Sequence, residues 1–225
     1  DLGAAALATG HYVRRELGPQ GPELHRGADP ARDQSYFLFA TTAEQLAFLR
    51  FPLGGLDKRQ TRALAERLAL PVAAKPDSQD ICFVPEGRYD RIVEKLRPEA
   101  ADPGEIRHMD GRLLGRHEGI IRYTVGQRRG LGLDHEPGPL YVVRLDAARR
   151  QVIVGPEAAL GRDLVALGEC NWLDAPAEGR AVAAKLRSAQ PAQPARLVRL
   201  GAGWGVRLEA PQKGVAPGQA AVCYE

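Results

Sequence analysis

The spacing of apolar residues changes along the chain and predicts two kinds of architecture. An apolar strand ends at Ala8, and two stretches of helical spacing follow, one with Leu46 and Leu49 and one with Leu64 and Leu68 on its apolar face. After about residue 105, short apolar runs alternate with glycines, which is typical of strands joined by turns. The sequence therefore predicts an α/β part followed by a β-rich part.

Helix start signals support the two helices of the first part. Thr41 with Glu44 fits a capping box, in which side chains satisfy the free backbone N–H groups at a helix start. Asp57 with Gln60 resembles the same signal. Both segments are therefore predicted to be scaffold helices. A further stretch of helical spacing runs from Tyr89 to Leu96 before prolines end it.

The last third of the chain contains many short apolar runs and no convincing helix, which favours a small β-barrel. The runs are Leu140 to Leu145, Gln151 to Val154, Leu164 to Leu167, Val182 to Leu186, Leu197 to Leu200, Val206 to Leu208 and Ala220 to Tyr224. We therefore predict the C-terminal part of an α/β domain over residues 1–85, a small mixed central domain over 86–139 and a C-terminal β-barrel over 140–225.

Composition sets limits on location and on metal chemistry. No run approaches the roughly 20 apolar residues that a membrane helix needs. The first residues lack the basic flank and cleavage pattern of a signal peptide. We therefore expect a cytoplasmic protein without a membrane partner. The three cysteines are widely spaced and include no C-x-x-C pair, which argues against a disulfide framework and a cysteine-bound metal.

The stretch Asp77-Ser78-Gln79-Asp80-Ile81-Cys82-Phe83 is the strongest candidate for chemistry. Cys82 is the one cysteine in a polar, loop-like context, where a partner can reach a thiolate and neighbours can tune it. The alternative is a structural cysteine that Ile81 and Phe83 carry into a core, because free cysteine is among the most buried residue types. The motif alone leaves both interpretations open.

Two short polar segments in the first part are candidate ligand contacts. Gly10 and His11 follow the first strand, and ligands bind at the carboxyl ends of strands in an α/β sheet. Arg32, Asp33 and Gln34 precede an apolar run and have side chains suited to a phosphate backbone. Each also has a structural interpretation. His11 is then a structural histidine at a strand end whose ring nitrogens are hydrogen-bonded, and the turn at Arg32 to Gln34 caps the element that follows.

Arginines concentrate in residues 107–129, where Asp110 and Glu118 are the only carboxylates. The segment includes a glycine-flanked loop with Arg128 and Arg129. Arginine forks beside Tyr123 suit an RNA backbone with splayed bases. The competing interpretation is a set of ordinary solvated arginines.

Three positions in the β-rich part are weaker candidates. Cys170, beside a tryptophan, and Cys223, in the last apolar run, are predicted to be packing residues. Gln219 follows Pro217 and Gly218 in a tight turn, which either presents its amide to a ligand or is a bare turn.

Five ordered motifs together resemble the tRNA-specific 2-thiouridylase family, whose members use ATP to place sulfur on the wobble uridine of tRNA. They are Ala8-Thr9-Gly10-His11-Tyr12, Asp33-Gln34-Ser35-Tyr36-Phe37-Leu38, Lys75 to Phe83, Tyr123 to Gly132, and Pro217-Gly218-Gln219-Ala220-Ala221-Val222. The resemblance runs the whole length of the chain. It implies that the α/β part is a remnant of an adenine-nucleotide alpha hydrolase-like (PP-loop) domain. It also implies two partners, tRNA and a sulfur-relay donor protein or cysteine desulfurase.

The resemblance also implies the site residues. Cys82 would carry the persulfide that delivers sulfur, and Gly10 would contact ATP. The implied tRNA contacts are His11, Arg32, Asp33, Gln34, Arg187, Ser188 and Gln219. Arg32 is commonly lysine in this family and Ser188 commonly tyrosine, so the second position loses a stacking ring.

Two family features are absent from these residues, the Ser-Gly-Gly-x-Asp-Ser phosphate loop and the first catalytic cysteine. We therefore expect the chain to be a fragment that lacks the part that mainly holds ATP and its Mg²⁺. In the family, the uridine 2-oxygen is adenylylated, persulfide sulfur attacks, AMP leaves, and the cysteine pair ends as a disulfide.

Two functions of other classes stay open. One is a non-catalytic tRNA-binding fragment, which would bind tRNA without consuming ATP. The other is a cysteine hydrolase that pairs Cys82 with one of the five histidines. No local nucleophile signature surrounds Cys82, so the hydrolase is disfavoured.

Overall fold

The computed structural model describes residues 3–71, 73 and 101–225. The Cys82 stretch and the helix predicted from Tyr89 to Leu96 lie outside the described residues. The strands are β1 (Leu7–Ala8), β2 (Val13–Gly18), β3 (Gly21–Arg26), β4 (Leu49–Arg50), β5 (Gly104–His108), β6 (Leu113–His117), β7 (Tyr141–Asp146), β8 (Gln151–Gly155), β9 (Gly161–Leu167), β10 (Ala181–Lys185), β11 (Gln193–Leu200), β12 (Gly203–Lys213) and β13 (Val222–Tyr224). The α-helices are α1 (Ala43–Phe48) and α2 (Lys58–Arg67), and short 3₁₀ turns cover Ser35–Leu38, Ile120–Arg122 and Glu157–Leu160.

The first part of the chain has the α/β character that the sequence predicts. β1 and β4 pair in parallel, with Leu7 opposite Leu49. A parallel pair needs a long crossover connection, and here the connection contains the β2–β3 hairpin and α1. The prediction that Leu49 extends the apolar face of α1 is wrong. The backbone at Leu49 is extended, so the helix ends at Phe48 and Leu49 begins β4.

The capping box of α1 lies one residue beyond the predicted position. Thr42 accepts a hydrogen bond from the Gln45 backbone N–H at 3.2 Å, and the Gln45 side chain accepts one from Thr42 N–H at 3.0 Å. Thr41 is buried, and its N–H donates to the Leu38 carbonyl in the preceding turn. Thr41 is therefore part of that turn, and Thr42 is the residue that begins α1.

The capping box predicted for α2 is confirmed. The carboxylate of Asp57 accepts from Gln60 N–H at 2.8 Å, and the amide oxygen of Gln60 accepts from Asp57 N–H at 2.8 Å. The two helices differ in burial: Leu46 of α1 is fully buried, whereas α2 buries no residue among those described, and Leu68 just after it is 59% exposed. The described residues therefore cover the apolar face of α2 only in part, with Leu64 half-buried.

A four-stranded mixed sheet follows, in the order β6-β5-β8-β7. β5 and β8 are parallel, and the two outer pairs are antiparallel. Its core contains Ile106, Val142, Val152 and Val154, each at most 1% exposed. This sheet combines strands on both sides of residue 140, where the sequence prediction puts a domain boundary.

The remaining strands form a five-stranded sheet in the order β13-β10-β11-β12-β9. Alternate residues of β10, β11 and β12 are buried, among them Val182, Leu197 and Val206. This is the period of two that a sheet with one covered face requires. The prediction of many short strands is confirmed. The sheet has β13 and β9 as its edges, so within the described residues it is open rather than closed into a barrel.

The chain divides into two compact units. The first consists of Asp1–Asp77, Ala166–Glu209 and Ala220–Glu225, and the second of Ser78–Val165 and Ala210–Gln219. The first unit therefore joins the α/β segment to strands from the end of the chain. In the described ranges, no helix has both the length and the apolar character to cross a membrane.

Candidate nucleic-acid interface

The carboxylate of Asp33 fixes the loop between β3 and the turn at Ser35–Leu38. One oxygen accepts hydrogen bonds from the N–H groups of Gly27 (3.0 Å) and Ser35 (3.1 Å), and the other accepts from the Ser35 hydroxyl (2.9 Å). Gly27 is required here, because an added Cβ would lie 2.5 Å from the carbonyl oxygen of Tyr12. Asp33 therefore shapes the segment that contains Arg32 and Gln34. Its direct contact with RNA stays a prediction.

Gln34 joins that loop to the segment that contains His11. The Gln34 side-chain oxygen accepts from Tyr12 N–H at 2.9 Å, and Gln34 N–H donates to the Tyr12 carbonyl at 3.2 Å. His11 is half-buried, with Nδ1 2.7 Å from the Thr9 hydroxyl. The two polar segments predicted from sequence therefore lie side by side. Arg32, at the outer end of the second segment, is exposed.

Gly10 is exposed just beyond the carboxyl end of β1. An added Cβ would meet only Leu53, at 3.7 Å, which is an ordinary van der Waals contact. Packing among the described residues therefore does not require glycine at this position. The open backbone leaves room for a ligand, and contact with ATP stays a prediction.

The segment between β3 and the turn at Ser35–Leu38, residues 27–34, is called the polar loop. Ser35 and Tyr36 attach it to the last residues of the chain. The hydroxyl of Ser35 lies 2.9 Å from the hydroxyl of Tyr224, and Tyr36 donates to the Ala220 carbonyl at 3.1 Å. Burial raises the pKa of both tyrosines, so both phenols keep their protons at neutral pH. Ser35 and Tyr224 are 189 residues apart, and no local sequence pattern predicts their contact.

Arg187 lies in the same neighbourhood, close to Tyr36. Burial raises the pKa of Tyr36, and the positive charge of Arg187 partly opposes that rise. Lys185, two residues earlier, has its Nζ 5.7 Å from the centroid of the Tyr36 ring. Ser188 follows Arg187 and is exposed. Arg187, a predicted tRNA contact from the β-rich part, therefore lies near the polar loop of the α/β part, within the first unit.

Gln219, the last of the predicted tRNA contacts, belongs to the second unit. It is exposed and directly follows Gly218, which has a positive φ of 81°. The predicted tight turn is confirmed. Whether its amide contacts RNA stays a prediction.

Carboxylates neutralise part of the basic segment at residues 107–129, and two of them come from outside the segment. The pairs are Arg107–Glu105 (2.7 Å), Arg112–Asp110 (2.9 Å), Arg112–Glu136 (3.7 Å) and Arg122–Glu118 (3.6 Å). Fewer arginines of this segment are therefore available to RNA than the sequence indicates.

Arg128 and Arg129 are exposed on a loop with a defined shape. The Gln127 side chain accepts from Thr124 N–H at 3.0 Å and donates to the Arg129 carbonyl at 2.9 Å. Gly126 N–H donates to the carbonyl of Val142 in β7 at 2.8 Å. The charge of Arg128 contributes, after Lys213, to lowering the pKa of Glu157, so a carboxylate lies within electrostatic reach of this arginine. Because both arginines are exposed, these two side chains are still the best candidates for an RNA contact in the second unit.

The two described cysteines differ from each other. Cys223 is half-buried in β13, and burial raises the pKa of its thiol to about 11, which suits an inert packing residue. The prediction that Cys170 is a packing residue is wrong, because Cys170 is exposed. Its neighbours make the contacts instead: Asn171 donates to the Phe39 and Thr41 carbonyls, and Trp172 packs edge-on against Trp204. Cys82 lies outside the described residues, and its role stays a prediction.

Three family models match consecutive parts of the chain. They are a tRNA methyl transferase HUP domain over residues 1–86, a tRNA methyl transferase PRC-barrel domain over residues 91–156 and an aminomethyltransferase beta-barrel domain over residues 162–225. Together the three matches span nearly the whole chain and follow one another along the sequence.

Curated relatives are similar over the whole chain. A protein of Rhodospirillum centenum is 64% identical, and proteins of Parvibaculum lavamentivorans and Sphingopyxis alaskensis are each 60% identical. All three bear the name tRNA-specific 2-thiouridylase MnmA, and in each the alignment covers 100% of this chain. The chain spans 58 to 60% of the length of these relatives. The ordered domain matches and this level of identity lead to one conclusion: the chain belongs to the tRNA-specific 2-thiouridylase family.

Proposed function

We propose that this chain is part of an enzyme that replaces the 2-oxygen of the wobble uridine of tRNA with sulfur. One observation carries the proposal. Within the first unit, hydrogen bonds join the segment of His11 to that of Arg32 to Gln34 at Tyr12, and Tyr36, two residues after Gln34, donates to the carbonyl of Leu186 beside Arg187 at 3.5 Å. These segments are the ones to which the family resemblance assigns contacts with tRNA. A tRNA substrate also supports a cytoplasmic location.

The side chains of Arg32, Asp33, Gln34 and Arg187 form the proposed RNA surface of the first unit. They differ in the charge and the hydrogen-bonding groups that they can offer to RNA. Arg32 and Arg187 supply positive charge and in-plane N–H donors for phosphate oxygens. The Gln34 side-chain oxygen is occupied by Tyr12 N–H, but its amide nitrogen can donate to a base or a sugar. The Asp33 carboxylate already accepts three hydrogen bonds from the chain. We therefore assign Asp33 mainly a positioning role.

Among the described residues, we assign one position to the nucleotide. Gly10 is exposed beyond the end of a parallel strand, where an added Cβ would make only one ordinary contact. ATP, when bound, supplies the activation that makes the uridine 2-oxygen a leaving group. The contribution of this chain is the open backbone at Gly10. We assign the phosphates and Mg²⁺ to none of the described residues.

Cys82 is proposed to carry the transferable sulfur as a persulfide. The terminal sulfur of a persulfide is more acidic than a thiol and is therefore a good nucleophile near neutral pH. It attacks C2 of the uridine as the activated oxygen leaves. A second thiol then breaks the sulfur–sulfur bond and forms a disulfide with Cys82, which leaves sulfur on C2. A sulfur-relay protein or a cysteine desulfurase is proposed to renew the persulfide after reduction.

The test is the Cys82→Ser substitution in the protein as its gene encodes it. With ATP, a sulfur donor and tRNA, the unsubstituted protein is expected to yield 2-thiouridine, measured by mass spectrometry of digested nucleosides. Cys82→Ser should abolish the product while tRNA binding is kept, because serine is nearly isosteric but is not a sulfur carrier.

Cys223→Ser is the matched control and should still thiolate, because Cys223 is half-buried with a pKa of about 11. Thiolation by Cys82→Ser would refute the assignment of the sulfur carrier. A mass change that fits methylation instead of an oxygen-to-sulfur exchange would refute the proposed reaction. Binding of tRNA without any modification would favour the non-catalytic alternative.

A further inference from the structure

Two cations that the sequence does not single out lie against Tyr36, in the turn that follows the polar loop, and Tyr224, in β13. The guanidinium carbon of Arg26, the last residue of β3, is 3.9 Å from the centroid of the Tyr224 ring. The Nζ of Lys185, the last residue of β10, is 5.7 Å from the centroid of the Tyr36 ring. Both distances are within the range of cation–π attraction. Each stack limits where the cation can go, so both positive groups are held in place before any ligand arrives.

Hydrogen bonds connect the two tyrosines to the same short segment. The hydroxyl of Tyr224 is hydrogen-bonded to that of Ser35, and Tyr36 directly follows Ser35 in the chain. Ser35 in turn donates to the carboxylate of Asp33. Arg26 and Lys185 therefore lie next to the segment that contains Arg32, Asp33 and Gln34, although they come from strands far apart in the sequence.

The stacked cations keep their hydrogen-bond donors. An aromatic ring offers a cation no carbonyl or carboxylate oxygen, so the N–H donors of arginine and lysine stay available for one. Arg26 is exposed, so its donors can meet a ligand from solvent. Neither Arg26 nor Lys185 forms an ion pair with a carboxylate among the described residues. In contrast, Arg180 of the same unit pairs with Asp174 (2.8 Å) and Glu225 (2.7 Å) and has no free charge to offer.

The nearby negative charge does not cancel this arrangement. Asp33 is close enough to raise the pKa of Tyr224, after burial, which is the larger cause. Its carboxylate is occupied by three donors of its own loop. Arg26 and Lys185 bring two positive charges to the neighbourhood of this one carboxylate. Positive charge beside half-buried aromatic rings is the chemistry that recognises a nucleic-acid backbone.

We infer that Arg26 and Lys185 bind backbone phosphates of the tRNA and extend the surface formed by Arg32, Gln34 and Arg187. This inference rests on the proposed function, since it names further residues of the same RNA surface. The tyrosines position the two cations, and the cations make the contact. The competing role, in which the stacks only stabilise the fold, predicts no change in RNA binding beyond a loss of folded protein.

The experiment measures binding of a tRNA transcript to the protein as its gene encodes it, by fluorescence anisotropy at several salt concentrations. Arg26→Ala and Lys185→Ala should each bind several-fold more weakly and reduce the slope of log affinity against log salt by roughly 0.7–0.9, the change expected when one phosphate is no longer bound. Arg26→Lys should keep the salt slope because it keeps the charge, and it also provides a test if Arg26→Ala does not fold. Tyr224→Phe keeps the ring and the stack but removes the hydroxyl, and it should change the salt slope little.

Arg199→Ala is the matched control, because Arg199 lies 4.0 Å from the centroid of the Trp204 ring, which packs against Trp172 and is not one of the two tyrosines in question. It should leave the salt slope unchanged. Unchanged slopes for both Arg26→Ala and Lys185→Ala, or an equal loss with Arg199→Ala, would overturn the inference while leaving tRNA binding intact. Absence of tRNA binding by the unsubstituted protein would refute the proposed function itself, whereas tRNA binding with unchanged slopes in both alanine variants overturns this inference alone.

Discussion

Ser35 shows how a single small side chain fixes the candidate RNA surface. It is 2% exposed, and its hydroxyl bonds both to the carboxylate of Asp33 and to the phenol of Tyr224. Without that hydroxyl, the loop with Arg32 to Gln34 loses its bond to β13. The residue therefore links stability to the placement of the proposed RNA contacts.

Ser35→Ala should destabilise the first unit by about 1–3 kcal/mol, because it leaves a carboxylate oxygen and a phenol without their partner. Urea unfolding monitored by circular dichroism measures the change. Ser188→Ala is the control, because Ser188 is exposed and should tolerate the change. A loss no larger than that of the control would show that the Ser35 bonds contribute little to stability.

The described cysteines should differ in reactivity because they differ in access. Burial raises the pKa of Cys223 to about 11, so its thiol is almost entirely protonated at pH 7. Alkylation by iodoacetamide at pH 7 should therefore modify the exposed Cys170 well before Cys223. As the pH rises toward 11, the rate at Cys223 should increase. Peptide mass spectrometry of timed samples checks this order, and preferential labelling of Cys223 at pH 7 would contradict it.

At the scale of elements, the loop over residues 124–132 combines glycines with internal hydrogen bonds. Gly126, Gly130 and Gly132 have positive φ values of 92°, 72° and 66°, which glycine adopts without strain. The bonds of Gln127 and the link to β7 hold the loop in one shape. Arg128 and Arg129 therefore belong to a loop whose backbone conformation is supported by its own hydrogen bonds.

Arg128→Ala with Arg129→Ala should flatten the salt dependence of tRNA binding by roughly one unit for each phosphate that the variant no longer binds. The control is Arg107→Ala, because Arg107 is engaged by Glu105 at 2.7 Å and should contribute little to the slope. Anisotropy titrations at several salt concentrations measure the slopes of the unsubstituted chain, the double variant and the control. An unchanged slope in the double variant would assign both arginines to ordinary solvated surface.

At the scale of the whole chain, charge is balanced overall and uneven locally. The sequence carries 31 basic and 28 acidic residues, for a formal net charge of +3. Many arginines are neutralised by carboxylates, as in the pairs of Arg107, Arg112 and Arg122. RNA affinity therefore has to come from cations whose charge no carboxylate offsets, and net charge alone is a poor guide to it.

The 225-residue chain by itself should neither bind ATP tightly nor hydrolyse it. The Ser-Gly-Gly-x-Asp-Ser phosphate loop that holds ATP in this family does not occur among its residues. The exposed backbone at Gly10 offers only a small part of a nucleotide site. Isothermal titration calorimetry with ATP and Mg²⁺ should therefore give no more than weak binding. Tight binding, or phosphate release above the blank, would contradict the prediction.

Much of the local structure follows from the sequence by itself. The capping box at Asp57 and Gln60, the strand before Thr9 and the succession of short strands after residue 104 are all confirmed. These features depend on contacts between residues near in sequence, such as a side chain that satisfies an N–H three residues away. The motifs with His11 and Asp33 are also visible from sequence, and their resemblance to one family implies Arg187 as a further contact.

Only the tertiary structure decided which of these motifs meet and which charges stay available. Ser35 and Tyr224 are 189 residues apart, and their bond depends on how β13 pairs with β10. The pairing of Arg107 with Glu105 and of Arg112 with Glu136 likewise neutralises charge that the sequence alone assigns to the basic segment. The physical reason is that hydrogen bonds and ion pairs act over a few ångströms. Local spacing predicts helices and strands, but the folded chain sets which distant side chains come within that range.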